Sequence, residues 1–231
     1  MQTIILPPLQ FHIFALTLVA ALALNYTRDH AGTIEASTQR ISRGTNDAET
    51  FLAAGRGEEN LGHYILALDD YDKAIRLNPK CIDMHITRGL LRSQLGDRKG
   101  AIRDFNEIIA IDSTNPFGFR NRGHERNLLG DYQKALADYN QALQLTRLQA
   151  SLPSFLAERA LIRLELGDKS GAADDANKSI KLRPRCNFIG YYARGLTRLK
   201  TGDTTGAKKD LQRIPETAPD FAQAKQALDL L

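Results

Sequence analysis

The chain has 231 residues, of which 42% are hydrophobic and 25% charged, a balance that predicts a folded core and argues against global disorder. Its 31 basic and 27 acidic residues are interleaved and give a formal charge of +4, which disfavours the one-sided basic surface typical of nucleic-acid-binding proteins. Two cysteines cannot by themselves build a disulfide framework or a zinc site.

The N-terminal segment, residues 1–23, is predicted to be a secretory signal peptide. An apolar run from Leu9 to Leu24 contains Ala21-Leu22-Ala23, a small-x-small pattern typical of signal-peptidase sites, so cleavage is expected after Ala23. The run is shorter than the roughly 20 residues that span a bilayer as a helix. Because the segment before it carries no Lys or Arg, two alternatives stay open: residues 9–24 attach the protein to a membrane, or they are a plain apolar terminus. Signal cleavage predicts an exported or periplasmic protein, whereas membrane attachment through residues 9–24 predicts a membrane-anchored one.

Beyond a polar, turn-rich linker predicted over residues 24–47, the chain repeats itself. Five glycines recur at intervals of 34 to 37 residues, and an alanine follows each glycine by five positions. Such a period is typical of two-helix repeats, because each repeat buries its apolar face only against its neighbours. The glycines are Gly62, Gly96, Gly130, Gly167 and Gly202. We therefore predict a capping helix over residues 220–231, preceded by five repeats at 48–81, 82–115, 116–149, 153–186 and 188–219.

These repeats resemble those of the tetratricopeptide-repeat family. In the first repeat, Phe51, Ala54 and Gly55 match the family's opening of a large residue followed by small ones, and Pro79 stands at the family's terminal proline. The resemblance covers residues 48–219. It implies an all-α fold, a right-handed α-solenoid of stacked antiparallel helix pairs that ends in a C-terminal capping helix.

The turns inside the repeats carry their own signals. In four repeats a Gly-Asp pair is predicted to end the first helix with the glycine and to cap the second helix with the aspartate. The first repeat has His63 at the capping position, which predicts a weaker cap. In the fifth repeat, Pro215 is predicted to end the second helix early. The four capping aspartates are Asp97, Asp131, Asp168 and Asp203.

Arginine and aspartate also recur with the repeat. Repeats two to five carry an arginine beside the small residue of the first helix and a second arginine four positions later, and every second helix carries an aspartate. Each aspartate could pair within its own repeat or with the arginine of the next repeat. We favour the second scheme, because it closes all four junctions and explains why the first repeat, with Ala54 there, needs no arginine. The predicted structural inter-repeat pairs are Asp70–Arg88, Asp104–Arg122, Asp138–Arg159 and Asp175–Arg194.

The resemblance also implies a working surface. In this family, ligands lie along the concave surface formed by the first helices, and the third repeat is the most polar here, so we expect it at the centre of the groove. The alternative, that these residues merely face solvent, stays open. The residues implied at the partner-binding groove are Arg56, Asn60, Arg120, Asn121, His124, Asn127 and Tyr192.

The sequence indicates binding rather than catalysis. It has no Walker loop, GxSxG, HExxH or CxxC motif, so we predict no catalytic residue, no cofactor and no metal site. The resemblance implies a non-catalytic scaffold that holds a protein or peptide partner, best an extended segment with acidic or amide character. The alternative is an RNA-binding helical array whose arginines contact phosphates. The recurring aspartates argue against nucleic acid, because they cancel the positive charge locally.

Overall fold

The computed structural model describes a large central part of the chain. The predicted signal or anchor, residues 1–23, lies outside the described residues, and so does most of the linker predicted over 24–47. In the part that is described, no helix combines the length and the apolar character needed to cross a bilayer. The described residues are Gly32, Ile34, Glu35, Thr38, Gln39 and residues 47–147, 150–219 and 221–229.

Helices make up all the regular structure of the described residues, which contain no strand, so the predicted all-α fold is confirmed. Two helices match each predicted repeat, although the first helix of the fourth repeat begins at Leu152, one residue before the predicted start, and a further helix falls in the range predicted for the cap. From residue 47 onward the helices are α1 (Ala48–Asn60), α2 (Tyr64–Leu77), α3 (Ile82–Gln94), α4 (Arg98–Ile111), α5 (Pro116–Leu128), α6 (Tyr132–Leu145), α7 (Leu152–Glu165), α8 (Lys169–Leu182), α9 (Phe188–Thr201), α10 (Thr204–Leu211) and α11 (Phe221–Asp229).

The described residues divide into two compact units, with the boundary between Leu91 and Arg92, inside α3. The first unit is built around α1 and α2, which pack as a pair. Its core contains Leu52, Tyr71 and Met84, and the Tyr71 ring is fully buried. The buried hydroxyl of Tyr71 donates to Glu59 Oε2 at 2.5 Å, so the one polar atom of that ring is satisfied.

In the second unit the helix pairs stack on one another. Helices α5 and α6, α7 and α8, and α9 and α10 pack as pairs, and each pair contacts the next. Small residues permit this close packing: a Cβ added at Gly123 would lie 2.9 Å from the Tyr139 ring, and one added at Gly195 would lie 2.8 Å from Leu211. Both distances are shorter than van der Waals contact, so a larger residue would push the two helices of the pair apart.

The turns follow the predicted chemistry with one exception. The glycine of each turn has a positive φ, between +79° and +87°, which ends the first helix at low conformational cost. Asp97 accepts a hydrogen bond from Gly100 N at 2.9 Å, and Asp168 and Asp203 cap α8 and α10 in the same way. The prediction for Asp131 is wrong, because its side chain makes no capping bond and instead lies 3.4 Å from Lys134 Nζ.

The last repeat is cut short where the sequence predicts it. Helix α10 has 8 residues, whereas α2, α4, α6 and α8 each have 14. Its final residue, Leu211, lies four positions before Pro215, whose ring would clash with the Leu211 carbonyl in a continued helix. Helix α11 then packs against α10, with Ala224 and Ala227 buried in a cluster that includes Leu211.

The difference between Asp97 and Asp131 can be tested as a matched pair. Replacing a capping aspartate by alanine costs about 1 kcal/mol of stability. We therefore expect Asp97→Ala to lower the free energy of unfolding by about that amount and Asp131→Ala to change it by less than about 0.5 kcal/mol. Urea denaturation followed by circular dichroism measures both, and equal losses would contradict the capping difference.

Candidate functional site

Each second helix of the second unit carries a buried aspartate that arginines of the same repeat hold. Asp138 on α6 is 3% exposed. Arg122 on α5 donates to both of its carboxylate oxygens, from Nε at 3.1 Å and from Nη2 at 2.7 Å. Arg126, one turn later, donates to Asp138 Oδ2 at 2.7 Å. Two charge-assisted contacts from one helix to the next thus compensate the burial of one carboxylate.

The same arrangement, which we call the aspartate clamp, recurs with both arginines in the fourth and fifth repeats and with Arg92 in the second repeat. Asp104 accepts from Arg92 Nη1 at 2.9 Å. In the fourth and fifth repeats, both oxygens of the aspartate accept from the earlier arginine at 2.7 to 2.8 Å. The later arginine lies 3.0 Å and 2.6 Å from the carboxylate in these two repeats. The clamps are Arg159–Asp175–Arg163 and Arg194–Asp210–Arg198.

The predicted inter-repeat pairs are therefore wrong. Three of the four arginines assigned to an aspartate of the preceding repeat, Arg122, Arg159 and Arg194, bind the aspartate of their own repeat. The reason is helical geometry: the aspartate faces the first helix of its own pair, where the arginine stands beside the small packing residue. At the first junction Asp70 pairs with Lys73. The arginine predicted to reach Asp70, Arg88, lies 2.6 Å from Asp72.

Contacts between repeats use the residue two positions after each clamp aspartate. Two positions along a helix turn a side chain by about 200°, so this residue faces the following repeat. Arg122 Nη1 donates to Asn106 Oδ1 at 2.8 Å, and Arg159 Nη1 donates to Asn140 Oδ1 at 2.8 Å. Arg194 Nη1 likewise lies 3.2 Å from Asn177 Oδ1. The sequence did carry this signal, since Asp72 and the three asparagines recur at the same offset.

Neighbouring aspartates on α8 give a direct test of the clamp. Asp175 is 4% exposed and clamped by two arginines, whereas Asp174 is exposed. Removing one partner of a buried ion pair costs about 3 kcal/mol or more, because the remaining charge stays desolvated. We expect Asp175→Ala to lower the free energy of unfolding by about 3 kcal/mol and Asp174→Ala by less than about 0.5 kcal/mol. Chemical denaturation measures both, and similar losses would show that the clamp is not needed for stability.

A second buried polar network joins α5, α6 and α7. Arg120 donates from Nε to Glu158 Oε2 at 2.8 Å, and its Nη2 binds the other oxygen of Glu158. Its Nη1 donates to Asn121 Oδ1 at 2.9 Å, and the Tyr139 hydroxyl donates to Glu158 Oε2 at 2.7 Å. The guanidinium predicted to face a ligand is therefore already paired inside the protein.

The pKa shifts agree with this pairing. Burial would lower the pKa of the Arg120 guanidinium, but the hydrogen bonds and charge of Glu158 more than offset it and raise that pKa. Burial raises the pKa of the Tyr139 phenol, and the negative charge of Glu158 raises it further. The phenol thus stays protonated and donates, and the arginine stays charged.

A glutamate on α5, Glu125, is also buried and bonded. Glu125 is 1% exposed, accepts from Ser93 Oγ at 2.5 Å and lies 3.3 Å from Arg98 Nη1. His124 beside it is partly buried. Burial and then the positive charge of Arg120 lower the pKa of His124, against the opposing charges of Glu158 and Glu125.

Two of the predicted groove residues line one pocket. Asn127 at the end of α5 and Tyr192 on α9 border a pocket of about 340 Å³ that extends across three successive first helices, with α7 in the middle. Its lining mixes polar and apolar surface in nearly equal parts, and it opens to solvent. The lining residues are Asn127, Leu128, Tyr132, Leu161, Glu165, Tyr192 and Leu196.

The remaining predicted groove residues lie elsewhere. Arg56 and Asn60 are exposed on α1, in the first unit. Asn121 is 8% exposed and bonded to Arg120, which leaves little of it on the surface. Sequence reasoning missed Glu158 and Glu165, because neither glutamate recurs at the same position of the other repeats. Among the described residues, no group of three or more His, Cys, Asp or Glu side chains is placed to hold a metal ion.

The lowered pKa of His124 predicts a pH effect. The unfolded chain protonates this histidine near its ordinary pKa of 6.5, whereas the folded protein does so only at lower pH. Folding therefore releases a proton in that window, and the contribution of His124 becomes unfavourable as the pH falls below 6.5. We expect His124→Gln to lose less stability than the wild type between about pH 7.5 and pH 5.5 in denaturation experiments. Parallel pH profiles of the two proteins would contradict this assignment.

Comparison with known proteins supports the repeat architecture. Residues 121–147, which include most of α5 and all of α6, match the family model of the tetratricopeptide repeat. No curated protein sequence matches the chain.

Several solved structures share the fold. YrrB, described as a tetratricopeptide-repeat protein with an unusual peptide-binding site, is 19% identical, with 85% of this chain and 99% of that chain covered at a TM-score of 0.63. A tetratricopeptide-repeat protein of Parabacteroides merdae is 20% identical, with 87% and 77% covered at a TM-score of 0.63. MamA of Desulfovibrio magneticus is 16% identical, with 74% and 96% covered at a TM-score of 0.62. At these identities the likeness concerns the fold.

Proposed function

We propose that this chain is a tetratricopeptide-repeat protein and a non-catalytic scaffold that binds an extended segment of a protein partner along the first helices of its second unit. The pocket across α5, α7 and α9 carries the proposal. It unites Asn127 and Tyr192, which sequence reasoning assigned to the groove, with three leucines from the same helices. Open apolar pockets with a few polar side chains suit the side chains of an extended peptide.

The chemistry of the pocket refines the kind of partner. The side-chain amide of Asn127 can both donate to and accept from a peptide group, which suits recognition of an extended backbone. Leu128, Leu161 and Leu196 offer an apolar surface to a partner side chain. Arg120 is held by Glu158, so it does not support the acidic partner that the sequence suggested. We therefore propose a partner whose recognition combines backbone amides with one inserted side chain.

We do not extend the proposal to RNA. That alternative depended on the recurring arginines, and Arg122, Arg159 and Arg194 each bond to both oxygens of a buried aspartate. Phosphate binding by these side chains would have to displace the clamps on which the helix pairs depend.

Selection of peptides tests the groove. A phage-displayed library of random peptides is selected against the full chain, and enriched phage are then assayed on single variants. We expect Tyr192→Ala and Asn127→Ala to weaken binding about tenfold, because each removes one wall or one amide of the pocket. Glu107→Ala and Lys178→Ala, at exposed positions on second helices, serve as controls and should bind like the wild type.

Two results would overturn the scaffold proposal. One is the absence of any enriched peptide whose binding depends on Tyr192 or Asn127. The other is tight binding of a fluorescent single-stranded RNA at about 50 mM salt that falls steeply as salt rises, which would restore the nucleic-acid alternative.

We also propose that the protein is exported and loses residues 1–23. The support is the apolar run at 9–24 and the Ala21-Leu22-Ala23 pattern, both in the sequence. Mass spectrometry of the protein from its native cells should give a mature N-terminus at Leu24. An intact N-terminus in a membrane fraction would favour the membrane anchor, and one in a soluble fraction would favour the plain apolar terminus.

A further inference from the structure

The charged groups around the groove pocket are unevenly compensated. The three first helices that border it, α5, α7 and α9, carry three acidic residues: Glu125, Glu158 and Glu165. Glu125 and Glu158 are buried and bonded to arginines. Glu165 is the exposed last residue of α7, lines the pocket, and forms no ion pair or side-chain hydrogen bond with any residue that the structure describes. The pocket therefore contains one carboxylate without a counter-charge.

The helix ends add to this negative potential. Leu128 and Glu165, both in the pocket lining, are the last residues of α5 and α7. The carbonyl end of a helix carries a partial negative charge and favours cations. The carbonyl ends of α5 and α7 and the Glu165 carboxylate therefore lie at the same pocket.

The neighbouring cations of the protein do not neutralise Glu165. Arg126, Arg163 and Arg198, which lie in the last part of the same three helices, are bonded to their clamp aspartates. Lys200 occupies the position on α9 that Glu165 occupies on α7, but it is exposed and does not line the pocket. No cation of the described residues therefore neutralises Glu165, so a bound partner would have to supply one.

The walls of the pocket suit a long cationic side chain. Lysine and arginine combine an apolar stem with a charged head. Leu161 and Leu196 can contact the stem, while the rings of Tyr132 and Tyr192 attract a cation placed over their faces. An aspartate or glutamate side chain would instead meet the Glu165 carboxylate and two helix carbonyl ends, which repel it.

We infer that the groove pocket takes a lysine or arginine side chain of the partner peptide, with the charged head at Glu165 and the stem between the leucines and tyrosines. The inference rests on the proposed peptide-binding function and adds the charge of the inserted residue. It replaces the acidic partner suggested by the sequence with a basic one.

The peptide selection can be repeated to test this charge preference. The same random library is selected in parallel against the full-length wild type, Glu165→Gln, Glu165→Lys and the control Glu107→Gln, whose substituted acid is exposed on α4. Wild type and control should enrich peptides with lysine or arginine at one fixed position. Glu165→Gln should lose that enrichment, and Glu165→Lys should shift it toward aspartate or glutamate. Thermal denaturation of each variant checks that the fold is retained.

A thermodynamic cycle then assigns the contact. The best wild-type peptide is synthesised in two forms, one with its basic residue and one with norleucine in its place. The dissociation constant of each form for the wild type and for Glu165→Gln is measured by fluorescence anisotropy. We expect Glu165→Gln and the norleucine change each to weaken binding about fivefold, and the two together to weaken it little more, because they remove the same contact. Added salt should reduce the wild-type affinity toward that of Glu165→Gln.

The outcomes separate this inference from the scaffold proposal. Two results would overturn the basic-residue inference and leave the scaffold proposal intact. One is a set of peptides that require Tyr192 but carry no fixed basic residue. The other is a cycle in which the affinity losses from Glu165→Gln and from norleucine multiply. An absence of enriched peptides, or peptides indifferent to Tyr192→Ala, would overturn both.

Discussion

A carboxylate that has been removed from water constrains the second unit of this protein. In each repeat an aspartate such as Asp138 is almost fully buried between two helices, and burial of an unpaired charge is strongly unfavourable. In the third, fourth and fifth repeats, two arginines one turn apart on the first helix supply the compensation. Since each arginine must approach the carboxylate to within hydrogen-bond distance, the pair of helices is held at one rotation and one spacing. The clamp therefore acts on the geometry of the repeat as well as on its stability.

The clamp also determines which surface remains for binding. The clamp arginines of α5, α7 and α9 point toward second helices, and the groove side of these first helices carries leucine, tyrosine, asparagine and glutamate. On that surface Arg120 and Glu158 neutralise each other, and Ser93 and Arg98 satisfy Glu125. What is left is a pocket with a mixed polar and apolar lining and one free carboxylate, Glu165. A chain with a formal charge of +4 thus presents a locally negative site.

Repetition explains what could be predicted and what could not. The recurrence of glycine and alanine at fixed offsets predicted two-helix repeats, which the fold confirms, and residues 121–147 match the family model of the tetratricopeptide repeat. The same recurrence identified the clamp residues but assigned them the wrong partners, because a periodic sequence offers each aspartate an arginine both in its own repeat and in the next. Which arginine it meets depends on the direction in which each helix face points. The Arg120–Glu158–Tyr139 network was missed altogether, since it occurs once and leaves no periodic signal.

The sequence by itself determined the number of helices per repeat, the positions of the turns, the early end of α10 and the residue types at each packing position. These features depend on local chemistry: a glycine that adopts positive φ, a proline that ends a helix, and an apolar period that a helix must bury. Only the tertiary structure decided that the clamps close within repeats, that Asn106 and its counterparts connect one repeat to the next, and that Asn127 and Tyr192 share a pocket with Glu165. Such contacts join residues far apart in the chain, and their geometry is set by how whole helices pack.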